Sequence, residues 1–151
     1  MTLYESDNVK DYRPAPTSSQ AGVILTTRGE YEITASLEAN DLIALAKLPP
    51  EHVLVDAILD ADDIDGGAGL TLTVGYLNAL KTDLEASTEL MVGETTGQAG
   101  GMARMDVKWG IQLAPSSSER IFAAKVVVKP AVAKGGTIGL TLMYRGENFD
   151  K

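Results

Sequence analysis

Between Leu59 and Gly69 the chain reads LDADDIDGGAG, with Asp60, Asp62, Asp63 and Asp65 crowded together and glycines directly after them. Carboxylates at that density are the raw material of a calcium site, because the hard cation is held by oxygen ligands. An EF-hand loop wants oxygens at positions 1, 3 and 5, glycine at 6 and glutamate at 12. Placing Gly66 at the glycine position puts Asp65 and Asp63 correctly but leaves Ala61 at the first position and Leu72 at the last. Starting at Asp60 instead puts Ile64 where a ligand is needed. The register fails both ways. Two readings stay open: a looser metal site in which Asp60, Asp62, Asp63 and Asp65 converge on one ion, and a hairpin loop whose exposed Asp and Gly suit turn geometry. The second is favoured, because acidic turns are common and calcium loops need register.

Other chemistry is thinly supplied. Cysteine is absent, which removes disulfides, thiol nucleophiles and Cys-based zinc sites. The single histidine, His52, has no second histidine to share a metal, and no serine sits in a Gly-x-Ser-x-Gly elbow. His52 reads as an exposed turn residue at a strand entry. GETTGQAGG lacks the Lys-Ser/Thr of a phosphate loop, and GGAGLT breaks the dinucleotide fingerprint at Leu72. A pair of acids for sugar hydrolysis cannot be named, and aromatics make up only 5% of the chain, leaving little to stack on a sugar. Trp109, the only tryptophan, reads as a core or interface residue. No catalytic residue and no cofactor is expected.

The elements that must position these residues are mostly strands. The 151 residues are 44% apolar, enough for one domain with an aliphatic core. HVLVDAILD and LTLTVGY alternate strictly, as does TIGLTLMY with Ile138, Leu140, Leu142 and Tyr144 on one face. AGVILTT and EYEITAS read as two strands turning at Arg28-Gly29. NDLIALAKLPP is ambiguous between a short helix and an irregular strand. Leu77, Leu80 and Leu84 have helical spacing, and short strands are expected near ARMDVKW and IQLA. AKGG at 133–136 is expected to join the last two strands. Seven to nine short strands with turns between them indicate an all-β, antiparallel β-sandwich or jelly roll.

Residues 1–20 are polar and hold Pro14 and Pro16, and so read as an extended N-terminal arm, with residues 21–151 as a single β-sandwich domain. The arm is either a loose tail or a segment that orders on a partner with Tyr4, Tyr12 and Arg13 as anchors. The start lacks the apolar stretch of a signal peptide, and no run is long enough for a membrane helix. The formal charge of −8 disfavours direct binding to nucleic acid or anionic lipid.

Four stretches carry a family likeness: KLPPEHVLVDAILDADDID, LTLTVGYLN, TGQAGGMARMD and IFAAKVVVKPAVAKGGTIGLTLMYR. Across Asn40 to Arg145 the chain resembles the small capsid cement, or decoration, proteins of tailed bacteriophages. The resemblance implies a β-sandwich or jelly roll that is not an enzyme. It implies a homodimer or homotrimer that binds the major coat protein on the outer surface of the capsid. The protein would be made in the bacterial host cytoplasm and would hold neighbouring coat subunits together. The alternative is a calcium- or glycan-binding β-sandwich, motivated by the aspartates.

Overall fold

The computed structural model describes residues 1–10, 15–17 and 23–146. These form nine strands: β1 (Leu3–Glu5), β2 (Ile24–Ile33), β3 (Leu42–Leu48), β4 (His52–Ala61), β5 (Thr71–Tyr76), β6 (Met91–Glu94), β7 (Gly101–Arg104), β8 (Arg120–Val128) and β9 (Gly136–Gly146). Two single helical turns, α1 (Asp7–Lys10) and α2 (Lys108–Ile111), and a 3-10 turn at Thr96–Gln98 complete the described elements. One sheet has five strands in the order β1-β3-β8-β5-β6, the other four in the order β2-β9-β4-β7. Within the two sheets, β2 pairs with β9, β3 with β8, β4 with β7 and β5 with β6, all antiparallel. That nesting is one long hairpin rolled up on itself, the jelly roll. The expected all-β sandwich is the fold observed.

The core lies between the sheets. Ile138, Leu140, Leu142 and Tyr144 of β9 are all fully buried, as the alternation of TIGLTLMY requires. Leu72 and Val74 of β5 face them from the other sheet and are equally buried. In β4 the alternation slips. A bulge between Leu54 and Asp56 puts Leu54, Ala57 and Leu59 in the core and leaves Val55 half-exposed. A second, smaller apolar cluster sits on the outer side of the five-stranded sheet. It gathers Leu42 and Ala44 of β3, Ala123 of β8, Val9 of α1 and Leu77. With apolar layers on both sides, every residue of β3 is buried. Double burial also accounts for the ambiguity of its sequence, since a strand covered on both faces loses its period of two.

Several local expectations give way to tertiary structure. Arg28-Gly29 is not a turn. β2 runs straight through it, and Gly29 is where β2 passes over β3, with an added Cβ landing 1.6 Å from the Leu45 carbonyl oxygen. The Leu77–Leu84 segment is not a helix. The Asn78 side chain accepts the Thr82 N–H at 2.9 Å, a local bond that competes with helical pairing, and Leu77 instead bridges Leu84. Where IQLA was read as a strand, α2 ends and an irregular stretch follows. LDADDIDGGAG is not a hairpin loop, because β4 and β5 lie in different sheets, and the loop at 129–135 likewise crosses from β8 to β9. Both are crossovers at one end of the roll.

The first ten residues, read as an arm apart from the core, are packed against it. β1 adds in parallel to the edge of β3, with Leu3 opposite Leu42, and α1 follows with Val9 buried. Leu3 and Val9 supply the apolar cover that Leu42 and Ala44 need, a spacing too short to stand out as a periodic pattern.

Candidate functional site

The four aspartates do not converge. Asp60, on β4, takes the Arg28 guanidinium of β2 across the intervening β9, with Nη2 to Oδ1 at 2.6 Å. The side chain in between must be absent: a Cβ on Gly139 would lie 2.5 Å from Arg28 Nη2 and 2.6 Å from Asp60 Oδ1. Asp60 first and Glu30 second hold the Arg28 guanidinium above its ordinary range. Asp62 accepts the Thr137 N–H at 2.8 Å and its hydroxyl at 2.9 Å. Those two bonds lower its carboxyl, against a small opposing effect of burial. Asp63 pairs with Lys134 Nζ at 2.5 Å. Among the described residues no group of three or more His, Asp or Glu side chains is arranged to hold a metal ion.

Asp65 is the exception to surface placement, with 1% of its area exposed. Oδ1 accepts the N–H of Gly67 at 2.9 Å and of Val132 at 3.0 Å, while Oδ2 accepts those of Gly69 at 2.8 Å and Leu70 at 2.7 Å. One carboxylate thus satisfies four backbone donors from two different crossovers. The Val132 N–H foremost, then those of Leu70, Gly67 and Gly69, hold its carboxyl far below the usual carboxylate range, against the upward pull of burial. Backbone pairing completes the latch: Gly66 donates to the Val132 carbonyl at 2.7 Å, and Lys134 donates to the Ile64 carbonyl at 3.2 Å. The glycines after Asp65 serve close approach, since a Cβ on Gly67 would sit 2.5 Å from that of Ala131. The aspartate cluster is a fastening between crossovers, with Asp65 at its centre.

The anchors expected on the arm fare differently. Tyr4 is half-buried and packs on Tyr31, ring centroids 5.4 Å apart, so it holds β1 to the body. Burial and then the nearby Asp41 push its hydroxyl up. Tyr12 and Arg13 lie outside the described residues. The ties that fix the segment fall on residues whose sequence context gives no cue. Thr2 N–H donates to Asp41 Oδ1 at 2.7 Å, Ser6 Oγ to the Leu45 carbonyl at 2.6 Å, and Asn8 Nδ2 to the Arg28 carbonyl at 2.6 Å. Further on, the Tyr144 hydroxyl donates to the Pro16 carbonyl at 2.6 Å, and burial pushes that hydroxyl up to about 12.

His52 is not the exposed turn residue expected. It is buried at the start of β4, its ring edge-on to Tyr144 at 5.5 Å and Nδ1 2.8 Å from the Pro50 carbonyl. Trp109 is partly buried against the core and donates Nε1–H to the Glu89 carbonyl at 3.0 Å. A surface groove of about 430 Å³ runs past Thr73, Asp83, Glu85, Glu89, Lys125 and Val127, with Asp83 and Lys125 paired at 2.7 Å. Among the described residues every buried side-chain nitrogen and oxygen has a hydrogen-bond partner. The arrangement is suited to stiffness and contact.

Three solved structures are similar to this chain. A chain in the capsid of Ralstonia phage GP4 is 34% identical over 97% of this chain and 99% of its own, with a TM-score of 0.81. One in the capsid asymmetric unit of cyanophage Pam1 is 20% identical over 89% of this chain and 92% of its own, with a TM-score of 0.68. One in the acid-stable capsid of Helicobacter pylori bacteriophage KHP30 is 16% identical over 83% and 89%, with a TM-score of 0.51. The last two share the fold. No protein-family profile and no curated protein matches the chain.

Proposed function

We propose, from the premise that this chain belongs to a family of bacteriophage capsid proteins, that it is a cement protein of the shell. It binds the major coat protein on the outer surface of the capsid and holds neighbouring coat subunits together, without catalysis. The observation that carries the reading is the end-to-end likeness, at 34% identity, to a capsid chain of matching length. This chain's crossovers are latched and, among the described residues, its buried polar side-chain groups are satisfied, so little free energy goes into ordering them on contact. The charge of −8 keeps it off the packaged nucleic acid. Acting as a homodimer or homotrimer, it grips several coat subunits at once and gains by avidity.

Within this reading the coat contacts include Tyr12 and Arg13, the residue types that dominate binding energy at interfaces. Tyr4, already engaged with Tyr31, is a supporting residue. The test adds purified protein to capsids lacking it and follows heat-driven DNA release together with the cryo-EM density. The reading expects new density on the outer surface and release at higher temperature. Density within the continuous shell lattice, or no binding at all, would sink it. Tyr12→Ala with Arg13→Ala is expected to weaken capsid binding about tenfold or more with the melting temperature unchanged. Equal affinity rejects those two contacts.

A further inference from the structure

Asp65-Gly66 is the only Asp-Gly or Asn-Gly pair in the chain. Such a pair is the sequence most open to backbone isomerisation, because glycine puts no side chain in the way. The Gly66 nitrogen attacks the protonated side-chain carboxyl of Asp65 at Cγ, a C–N bond forms, and one water leaves. The resulting five-membered imide is then opened by one water at either carbonyl. Opening at one restores aspartate; opening at the other routes the main chain through the side-chain carbon and gives isoaspartate. No oxidant or co-reactant is needed, and water lost equals water gained.

We propose that Asp65-Gly66 is a modification site held closed by the fold, in which isoaspartate forms only after the latch between the two crossovers opens. The geometry withholds both partners of the reaction. The nucleophile is engaged elsewhere, since Gly66 N–H donates to the Val132 carbonyl at 2.7 Å. The electrophile is fixed as well: Asp65 Oδ1 and Oδ2 are turned to the N–H groups of Gly67, Gly69, Leu70 and Val132, four donors that favour the unprotonated carboxylate. Cyclisation needs all of these to let go together, a local opening of both crossovers. The damage, once done, would not reverse on closing. Isoaspartate lengthens the main chain by one carbon and shortens the side chain, so the carboxylate could not meet the four donors again. The proposal does not depend on the capsid reading.

The experiment ages the full chain in mildly acidic buffer in three states: native, unfolded in urea, and native with Val132→Pro, which removes one donor to Asp65. Isoaspartate at residue 65 is read by peptide mapping and by enzymatic methyl labelling. The unfolded chain should gain isoaspartate at Asp65 ahead of its other aspartates. The native chain should gain it at least about tenfold more slowly, and the proline variant should fall between. Gly66→Ala, unfolded in urea, should slow the reaction by restoring a side chain at the nucleophile. Equal rates in native and unfolded chains would overturn the proposal, as would an unfolded chain in which Asp65 is no faster than other aspartates. If Val132→Pro does not fold, the native and urea arms with Gly66→Ala still decide the matter.

Discussion

The two sheets of the roll share one core but treat their outer faces in opposite ways. The five-stranded sheet carries a second apolar layer, where Leu3, Val9, Leu77 and Leu84 lie over Leu42, Ala44 and Ala123. The four-stranded sheet is left with rows of polar and half-exposed side chains. One row runs Arg28, Thr141, Ile58, Arg104 across β2, β9, β4 and β7, tied down by Arg28 to Asp60 and by Arg104 Nε to Asp56 at 2.6 Å. The stability of each region resides in a different place. Burial on both sides makes the first sheet depend on its outer cover, whereas the second is held from one side and its surface ion pairs add little.

The largest effect is expected in what both sheets share. Leu140→Ala, at a fully buried position of β9, should cost about 3 kcal/mol, seen as an earlier urea midpoint with the slope unchanged. A loss no greater than that of an outer-layer variant would show that the shared core is not the main source of stability. The latch comes next, because it joins crossovers from both sheets. Asp65 has its carboxyl lowered by the fold, so its contribution is fully present above the ordinary carboxylate pKa of about 4 and fades as pH falls below it. Asp65→Asn turns an amide NH2 toward backbone donors. It should lower the melting temperature near neutral pH and flatten its decline on acidification. A parallel decline in both proteins would contradict the assignment.

Smaller effects separate the two faces. Val9→Ala removes apolar cover from the five-stranded sheet and should cost about 1.5 kcal/mol, with hydrogen exchange speeding up in β1 and β3 while β9 stays protected. Uniform acceleration would mean the outer layer is not a separate unit. On the opposite face, Gly139→Ala should push Arg28 off Asp60 at a cost below about 1 kcal/mol. A solved structure of the variant with the pair intact, or a large destabilisation, would show that the ion-paired face matters more than its exposure suggests.

The same contrast decides what could be read from the sequence. β9 of the four-stranded sheet has one dry face and one half-exposed face, so TIGLTLMY announces itself by alternation. LIALAKL, covered on both sides, does not, and its sequence fits a helix as well as a strand. Leu3 and Val9 give no periodic signal, because they matter only once β3 exists to receive them. Asp65 finds three donors within its own loop, yet the partners that place the aspartates, Arg28, Thr137, Lys134 and the Val132 N–H, lie far away in the chain. Spacing within a loop says nothing of donors brought there by a crossover. The bulge at Val55 and the passage of β2 over β3 at Gly29 are likewise invisible until the sheets are packed.

The position of β9 has a kinetic consequence. It is the last of the described strands, yet it lies in the middle of its sheet, between β2 and β4. Until residues 136–146 have been synthesised, β2 has no neighbour in that sheet and β4 has only the four-residue β7. Ile33 must wait for Gly136 before the pair can close. Topologies built from such distant pairings fold slowly, on a scale of about milliseconds to seconds, and the nascent chain meanwhile exposes a ten-residue strand edge. Pairing in this sheet therefore waits on β9, whichever of its other strands is made first.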